Sequence, residues 1–211
     1  MGSIIRHVNK QDKKYAGNTH PDMNESGIFQ DVTIACPENI HTMKQLQVGV
    51  FFSSRMLTLV MTGVPGKNAP RQRIGQVCLP LPDDLEPDSE QWTPLLENSL
   101  SRFTARAKKV DVWCAVDPAI LKIKHLTIPD MAMDKIGNAA FWGLKRETDF
   151  DETTDIFDFE ILEDRVVDGV KKKDLMVFSA DRNRIQSLKK MFDRAGFPLS
   201  GITAVPFALQ N

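Results

Sequence analysis

The sequence predicts an α/β fold in which a strand meander and three amphipathic helices share a chain of 211 residues. Three observations carry that expectation. Short apolar runs with alternating character and tight polar joints fill residues 47–79, the pattern of antiparallel strands. Beyond them, three capped segments with helical periodicity alternate with further strand-like runs. The composition, 42% hydrophobic and 26% charged, is that of an ordinary folded domain with enough chain for a core that needs no disulfide or metal staples.

The elements follow in order. Residues 1–26 are polar and aperiodic, with Lys10, Lys13, Lys14 and Asn18, and are expected to form a disordered tail. Ile28 to Cys36 sets Val32, Ile34 and Cys36 against Asp31, Thr33 and Ala35, which predicts a short strand that Pro37 ends. Strands are expected at Gln47–Phe52, Met56–Thr62 and Arg73–Leu79, separated by Ser53-Ser54-Arg55 and by Gly63-Val64-Pro65-Gly66, an antiparallel meander. Pro80, Pro82 and Pro87 make a rigid connector to Asp88-Ser89, a helix-cap signal. The helix it opens is expected over Glu90–Ala107, with Pro94 tolerated in its first turn. Val110–Val116 and Leu121–Ile128 read as strands joined at Asp117-Pro118. A second helix, Met131–Glu147, carries Met133, Ile136, Ala140 and Leu144 on one face. Ile156–Leu162 and Leu175–Ala180 read as strands joined by a charged hairpin around Asp168-Gly169. Asp181 and Gly196 cap a third helix, Arg182–Ala195, which buries Ile185, Leu188 and Phe192. Ile202–Val205 is a last strand, and the residues from Pro206 to Asn211 look like the start of another helix, as if the chain were cut from a larger architecture.

Charge and residue usage exclude several functions. With 27 Lys+Arg against 28 Asp+Glu and a net charge of -1, there is no basic excess of the kind that nucleic-acid binding rests on. The longest apolar stretches, Val48–Phe52 and Leu57–Val64, are strand-sized, so no segment is expected to cross a membrane as a helix, and no secretory signal pattern opens the chain. Cys36, Cys78 and Cys114 are odd in number and widely spaced, which reads as reduced, buried thiols of a cytosol-like compartment. His7, His20, His41 and His125 lack the short spacing of a zinc motif, so no metal is expected. The acidic run from Asp149 to Asp164 contains no glycine for a calcium-loop turn. It reads as a solvated acidic edge that Lys171, Lys172 and Lys173 balance across the hairpin. Val64-Pro65-Gly66-Lys67 lacks the leading glycine and the following Ser/Thr of a phosphate loop and reads as a turn. Trp142 falls nearly opposite the Met133, Ile136, Ala140, Leu144 stripe. It therefore needs a second surface, either the neighbouring subdomain or a partner protein, where tryptophan is a common anchor.

Several stretches carry a family resemblance. Val48-Gly49-Val50-Phe51-Phe52-Ser53-Ser54 stands where a first phosphate hairpin of hydrophobic-Gly-hydrophobic-Asp-hydrophobic-Gly-Ser-Ser form would lie. Lys122–Pro129 is similar to a strand ending in proline before an inserted subdomain, and Asp158-Phe159-Glu160-Ile161-Leu162 to the acidic-aromatic strand after it. The runs Leu175–Ala180, Phe192–Phe197 and Ile202–Leu209 match further. Together they resemble the N-terminal half of PilM, the actin-like cytoplasmic protein family of type IV pilus assembly, and more distantly FtsA. The resemblance implies a partial actin-like core over 27–107, an inserted strand-helix-strand-strand module over 108–197 and a return strand over 198–211. It also implies a cytoplasmic, membrane-peripheral docking protein whose partner is the N-terminal peptide of a PilN-like inner-membrane protein, held in a cleft between core and module, with self-association a further expectation. Phe51 stands in place of the family's aspartate and Ser53 in place of its glycine. The phosphate loop at Phe51, Ser53 and Ser54 is therefore degenerate, and neither catalysis nor a cofactor is expected. The competing readings are a fragment of an actin-like ATPase and a GspL-like secretion component. Trp142 is the candidate partner-binding residue.

Overall fold

The computed structural model describes residues 40–204 apart from 54, 68, 83–84, 86–88, 106, 108 and 118–119. The tail over 1–26, the strand expected at Ile28–Cys36, Ser54 of the hairpin, and residues 205–211 lie outside the described residues.

After a 3-10 turn at Ile40–Thr42, β1 (Lys44–Phe52), β2 (Met56–Val64) and β3 (Gln72–Pro80) form the antiparallel meander. Alternation decides which face is inside: Leu46, Val48 and Val50 of β1 and Leu57, Leu59 and Met61 of β2 are buried, and the residues between them are not. Helix α1 (Trp92–Phe103) follows, then β4 (Val110–Val116), which pairs parallel with β1. The last strand, β8 (Leu199–Ala204), pairs parallel with β4, so the sheet reads β3-β2-β1-β4-β8. Both crossovers, β1 to β4 and β4 to β8, step the same way across the sheet. The right-handed rule then puts their helices on one face, where α1 lies against α3 (Arg182–Arg194). Leu96, Leu100 and Phe103 of α1 and Ile185 and Phe192 of α3 complete that core.

Between β4 and α3 the chain builds a second, three-stranded sheet, ordered β5-β7-β6, from β5 (Lys122–Pro129), β6 (Asp155–Val167) and β7 (Val170–Asp181). Helix α2 (Met133–Glu147) covers one face of it, packing Ile136, Ala140 and Leu144 on Leu126, Ile128, Leu175 and Val177. Gly143 permits this approach, because a Cβ there would lie 2.9 Å from Leu126. At the hairpin tip Asp168 (φ 52°) and Gly169 (φ 77°) are both left-handed, the conformation a two-residue hairpin turn with native twist requires.

Several expectations are corrected. Val110–Val116 and α3, grouped with the inserted module over 108–197, belong to the core sheet by pairing and packing. The second sheet runs only from β5 to β7. Helix α1 stops at Phe103 because the Thr104 hydroxyl donates to the Leu100 carbonyl (2.8 Å) and Ala105 turns left-handed (φ 47°). Met133 is 69% exposed: it is the first residue of α2 and has no sheet beneath it. Strands β6 and β7 extend well past the expected ends, since charged residues there pair across the ladder; Lys173 bonds Asp164 (2.6 Å) and Asp130 (3.2 Å). The acidic run lies on an outer strand, β6, from Asp155 onward, and Asp149, Asp151 and Glu152 precede it in a turn. At the end of β7, Asp181 accepts from the Arg184 amide (2.8 Å) and caps α3 as the sequence indicates.

One buried carboxylate, Asp174, with partners at the surface sits on the module face opposite α2. The Asp174 carboxylate accepts from the Thr127 hydroxyl (2.7 Å) and from Arg165 (2.9 Å), with His125 at 3.8 Å. The Thr127 bond first, and Arg165 after it, hold its pKa below the usual carboxylate value. A depressed folded pKa stabilises the fold fully above the unfolded value, about 3.9, and that contribution is lost as pH falls through the lower folded value. Asp174→Asn is therefore expected to flatten the acid limb of unfolding followed by circular dichroism below pH ~4, and an unaltered limb would refute the assignment. Burial pushes the Cys114 thiol far up, so it stays protonated and packs as an apolar side chain, whereas Cys78, expected to be buried too, is exposed on β3.

Candidate functional site

A cleft of about 1060 Å³ opens beyond the carboxyl ends of β1 and β4, where open α/β sheets bind their ligands. Phe52 and Ser53 end β1 at its floor, Val116 and Ile120 mark where the chain leaves for the second sheet, and α1 and α3 form the walls. Phe52 continues the inward alternation of Leu46, Val48 and Val50, so its ring enters the core beside Trp92 (5.3 Å between centroids) and Phe192 (6.3 Å). The apolar base thus follows from strand period and needs no special motif.

The α3 wall comes from helical period. Asn183, Arg184, Ser187, Lys190, Met191 and Arg194 line the cleft at helical spacing, with Ile185 buried at its base, while Phe192 turns into the core. Among the described lining residues Arg184, Lys190 and Arg194 meet one carboxylate, Glu90, so the α3 wall favours anionic groups. Sequence reasoning missed this stripe. It is legible as a second, polar period on the same helix, offset from the buried one.

The residues singled out beforehand separate. Ser53 lines the cleft, but its backbone N–H is taken by the Met56 carbonyl (2.9 Å), which closes the β1–β2 hairpin. Phe51 is half-buried and is not part of the lining, whereas its neighbour Phe52 is. These residues do not fit a magnesium–triphosphate group: Phe51 offers no carboxylate, and the Ser53 N–H is already used. Trp142 is not part of the cleft. It is 58% exposed on α2, edge-on to Phe141 (5.3 Å) with Lys145 Nζ 5.7 Å from its ring centre. Of the two surfaces expected for it, the neighbouring subdomain does not cover Trp142: Phe141 fills the space toward Phe150 and Phe157, and Trp142 turns outward.

Fold and cleft define a mixed α/β protein: a five-stranded sheet carries an inserted strand-helix-strand-strand unit and opens a cation-lined cleft at the ends of its parallel strands. Compared by sequence, no protein-family model and no curated protein matches the chain. Compared by structure, it is similar to a chain of the PilM–PilN type IV pilus biogenesis complex, with 20% identity and a TM-score of 0.61 over 79% of this chain and 49% of that one. It is also similar to the cytoplasmic domain of EpsL, an inner-membrane component of the type II secretion system of Vibrio cholerae, with 15% identity and a TM-score of 0.51 over 79% of this chain and 60% of that one. The fold is thus the one the PilM resemblance implied, and the chain spans about half the length of the PilM-complex chain it matches. No helix of the described residues is long and apolar enough to cross a membrane.

Proposed function

We propose that this chain is a non-catalytic docking protein of a type IV pilus or related secretion machine, cytoplasmic and peripheral to the inner membrane. In this reading it holds the N-terminal cytoplasmic peptide of a PilN-like membrane protein. The observation that carries it is the cleft: an apolar base of Phe52, Leu81, Trp92 and Ile185 beneath a rim of Arg184, Lys190 and Arg194. Its volume, about 1060 Å³, stands at the upper end of small-molecule pockets and suits an extended peptide. Apolar anchors of such a peptide fill the base while carboxylates meet the rim. The fold shared with a chain of the PilM–PilN complex supports the choice of partner. Trp142 adds a second contact, outside the cleft, for the assembled membrane partner.

Calorimetric titration of the chain with a synthetic N-terminal PilN-like peptide is expected to give a saturable isotherm, and a flat one refutes the proposal. The same titration with Mg-ATP is expected to be flat, because Phe51 and Ser53 remove the phosphate loop's carboxylate and glycine. Saturable micromolar binding would favour the actin-like ATPase reading instead. The likeness to the EpsL cytoplasmic domain supports a second reading, a GspL-like secretion component, which capture of a secretion-system peptide in place of the pilus peptide would select.

A further inference from the structure

The inserted module ends in two outer strands of opposite charge. Among the described residues no strand covers the outer side of β5 or of β6, and such edges are templates for pairing with another chain. β5 carries Lys122, Lys124 and His125 and no carboxylate. β6 carries Asp155, Asp158, Glu160, Glu163 and Asp164, and its single cation, Arg165, is drawn to Asp174 at 2.9 Å. Apolar side chains are exposed on the same two strands: Ile123 (38%) on β5, and Leu162 (43%) and Val166 (70%) on β6. Of the large apolar side chains exposed among the described residues, only Met56 lies outside the module.

We propose that the occupant of these edges is a second copy of this chain, β5 of one copy adding to β6 of the next. Like edges are excluded, because β6 on β6 opposes carboxylates and β5 on β5 opposes lysines, and like charges across a ladder destabilise it. The register sets the orientation. Ile123 pairs with Phe178 and Phe178 with Asp158; His125 pairs with Met176 and Met176 with Glu160. Asp158 and Glu160 therefore share a face with Ile123 and His125, while Lys122 and Lys124, opposite Ser179 and Val177, share the α2 face with Phe157 and Phe159. An upright second copy would add in parallel and keep the lysines and carboxylates on opposite faces. Inverting it makes the strands antiparallel, the slightly more stable ladder, and brings Lys122 and Lys124 to the face of Asp158 and Glu160. The joined surfaces differ, so the contact is heterologous and propagates as a row or ring of copies. No residue of β5 or β6 lines the cleft, so this self-association is independent of the peptide reading.

Sedimentation of the full chain tests it. At low ionic strength the average mass is expected to rise with concentration, and in ~1 M salt, where the screening length is about 3 Å, to return to that of the monomer. Lys122→Glu with Lys124→Glu makes both edges acidic, and Glu160→Lys with Glu163→Lys cancels the net negative charge of β6 and sets cations against the lysines of β5. Each double variant alone is expected to stay monomeric, and an equimolar mixture to recover the association. A monomeric mass of the unaltered chain at every concentration overturns the proposal, as does association that survives both reversals, or a mixture of two folded variants that stays monomeric. Circular dichroism checks folding. If a reversal unfolds the chain, Lys122→Gln with Lys124→Gln takes its place and is expected to weaken association at least fivefold; no weakening overturns the proposal. Association lost instead in Trp142→Ala would place the contact on α2 and equally overturn it.

Discussion

Phe192→Ala is expected to lower the unfolding free energy by about 3–5 kcal/mol, the range for deleting a buried aromatic ring. Phe192 has no exposed surface, and it links α3 to Phe52 at the end of the central strand β1. The void cannot close easily, because its walls are a sheet strand paired on both sides and a helix fastened against α1. Denaturant unfolding followed by circular dichroism measures the loss. A change below ~1 kcal/mol would show that this seam is not what fastens α3. Met133→Ala is the contrasting case: the sequence places it on an inward face like Phe192, but its exposure predicts a change within about 0.5 kcal/mol.

Reversing two cations of the cleft, Arg184→Glu with Arg194→Glu, is expected to weaken binding of the PilN-like peptide roughly a hundredfold, about 2.7 kcal/mol. Both residues are exposed on α3, outside its buried stripe, so the melting temperature should hardly move. An unchanged isotherm would remove the cleft from the binding reaction. Trp142→Ala separates the second contact from the first. Because Trp142 stands outside the cleft, peptide affinity should be unaltered, while capture of the intact membrane partner weakens by more than roughly tenfold, about 1.4 kcal/mol. If melting drops and capture by the folded protein persists, Trp142 is structural and the contact assigned to it is wrong.

Local chemistry made much of the architecture readable in advance. Period-2 alternation located all three meander strands, because one face of each strand has to be apolar and the other need not be. Asp181, Gly196 and Asp168-Gly169 marked a helix start, a helix end and a hairpin, since each supplies an oxygen or a left-handed backbone that few other residues supply as cheaply. The outward position of Trp142 followed from helical spacing alone. Which elements share a sheet did not follow. β4 and β5 are both strand-like and are joined by a short link, yet one pairs with β1 and β8 and the other with β7. Such pairing is settled by partners distant in the chain, and no window of local sequence contains them. The cleft escaped for the same reason: Phe52, Trp92, Val116 and Arg184 converge only when two crossovers have placed α1 and α3 on one face of the sheet. The sequence by itself determined the kinds of element, their caps and the faces they turn inward, because those depend on neighbours within a few residues. Only the tertiary structure decided which strands pair, where the cleft opens and that the module's two outer edges carry opposite charge, because those depend on contacts between residues far apart along the chain.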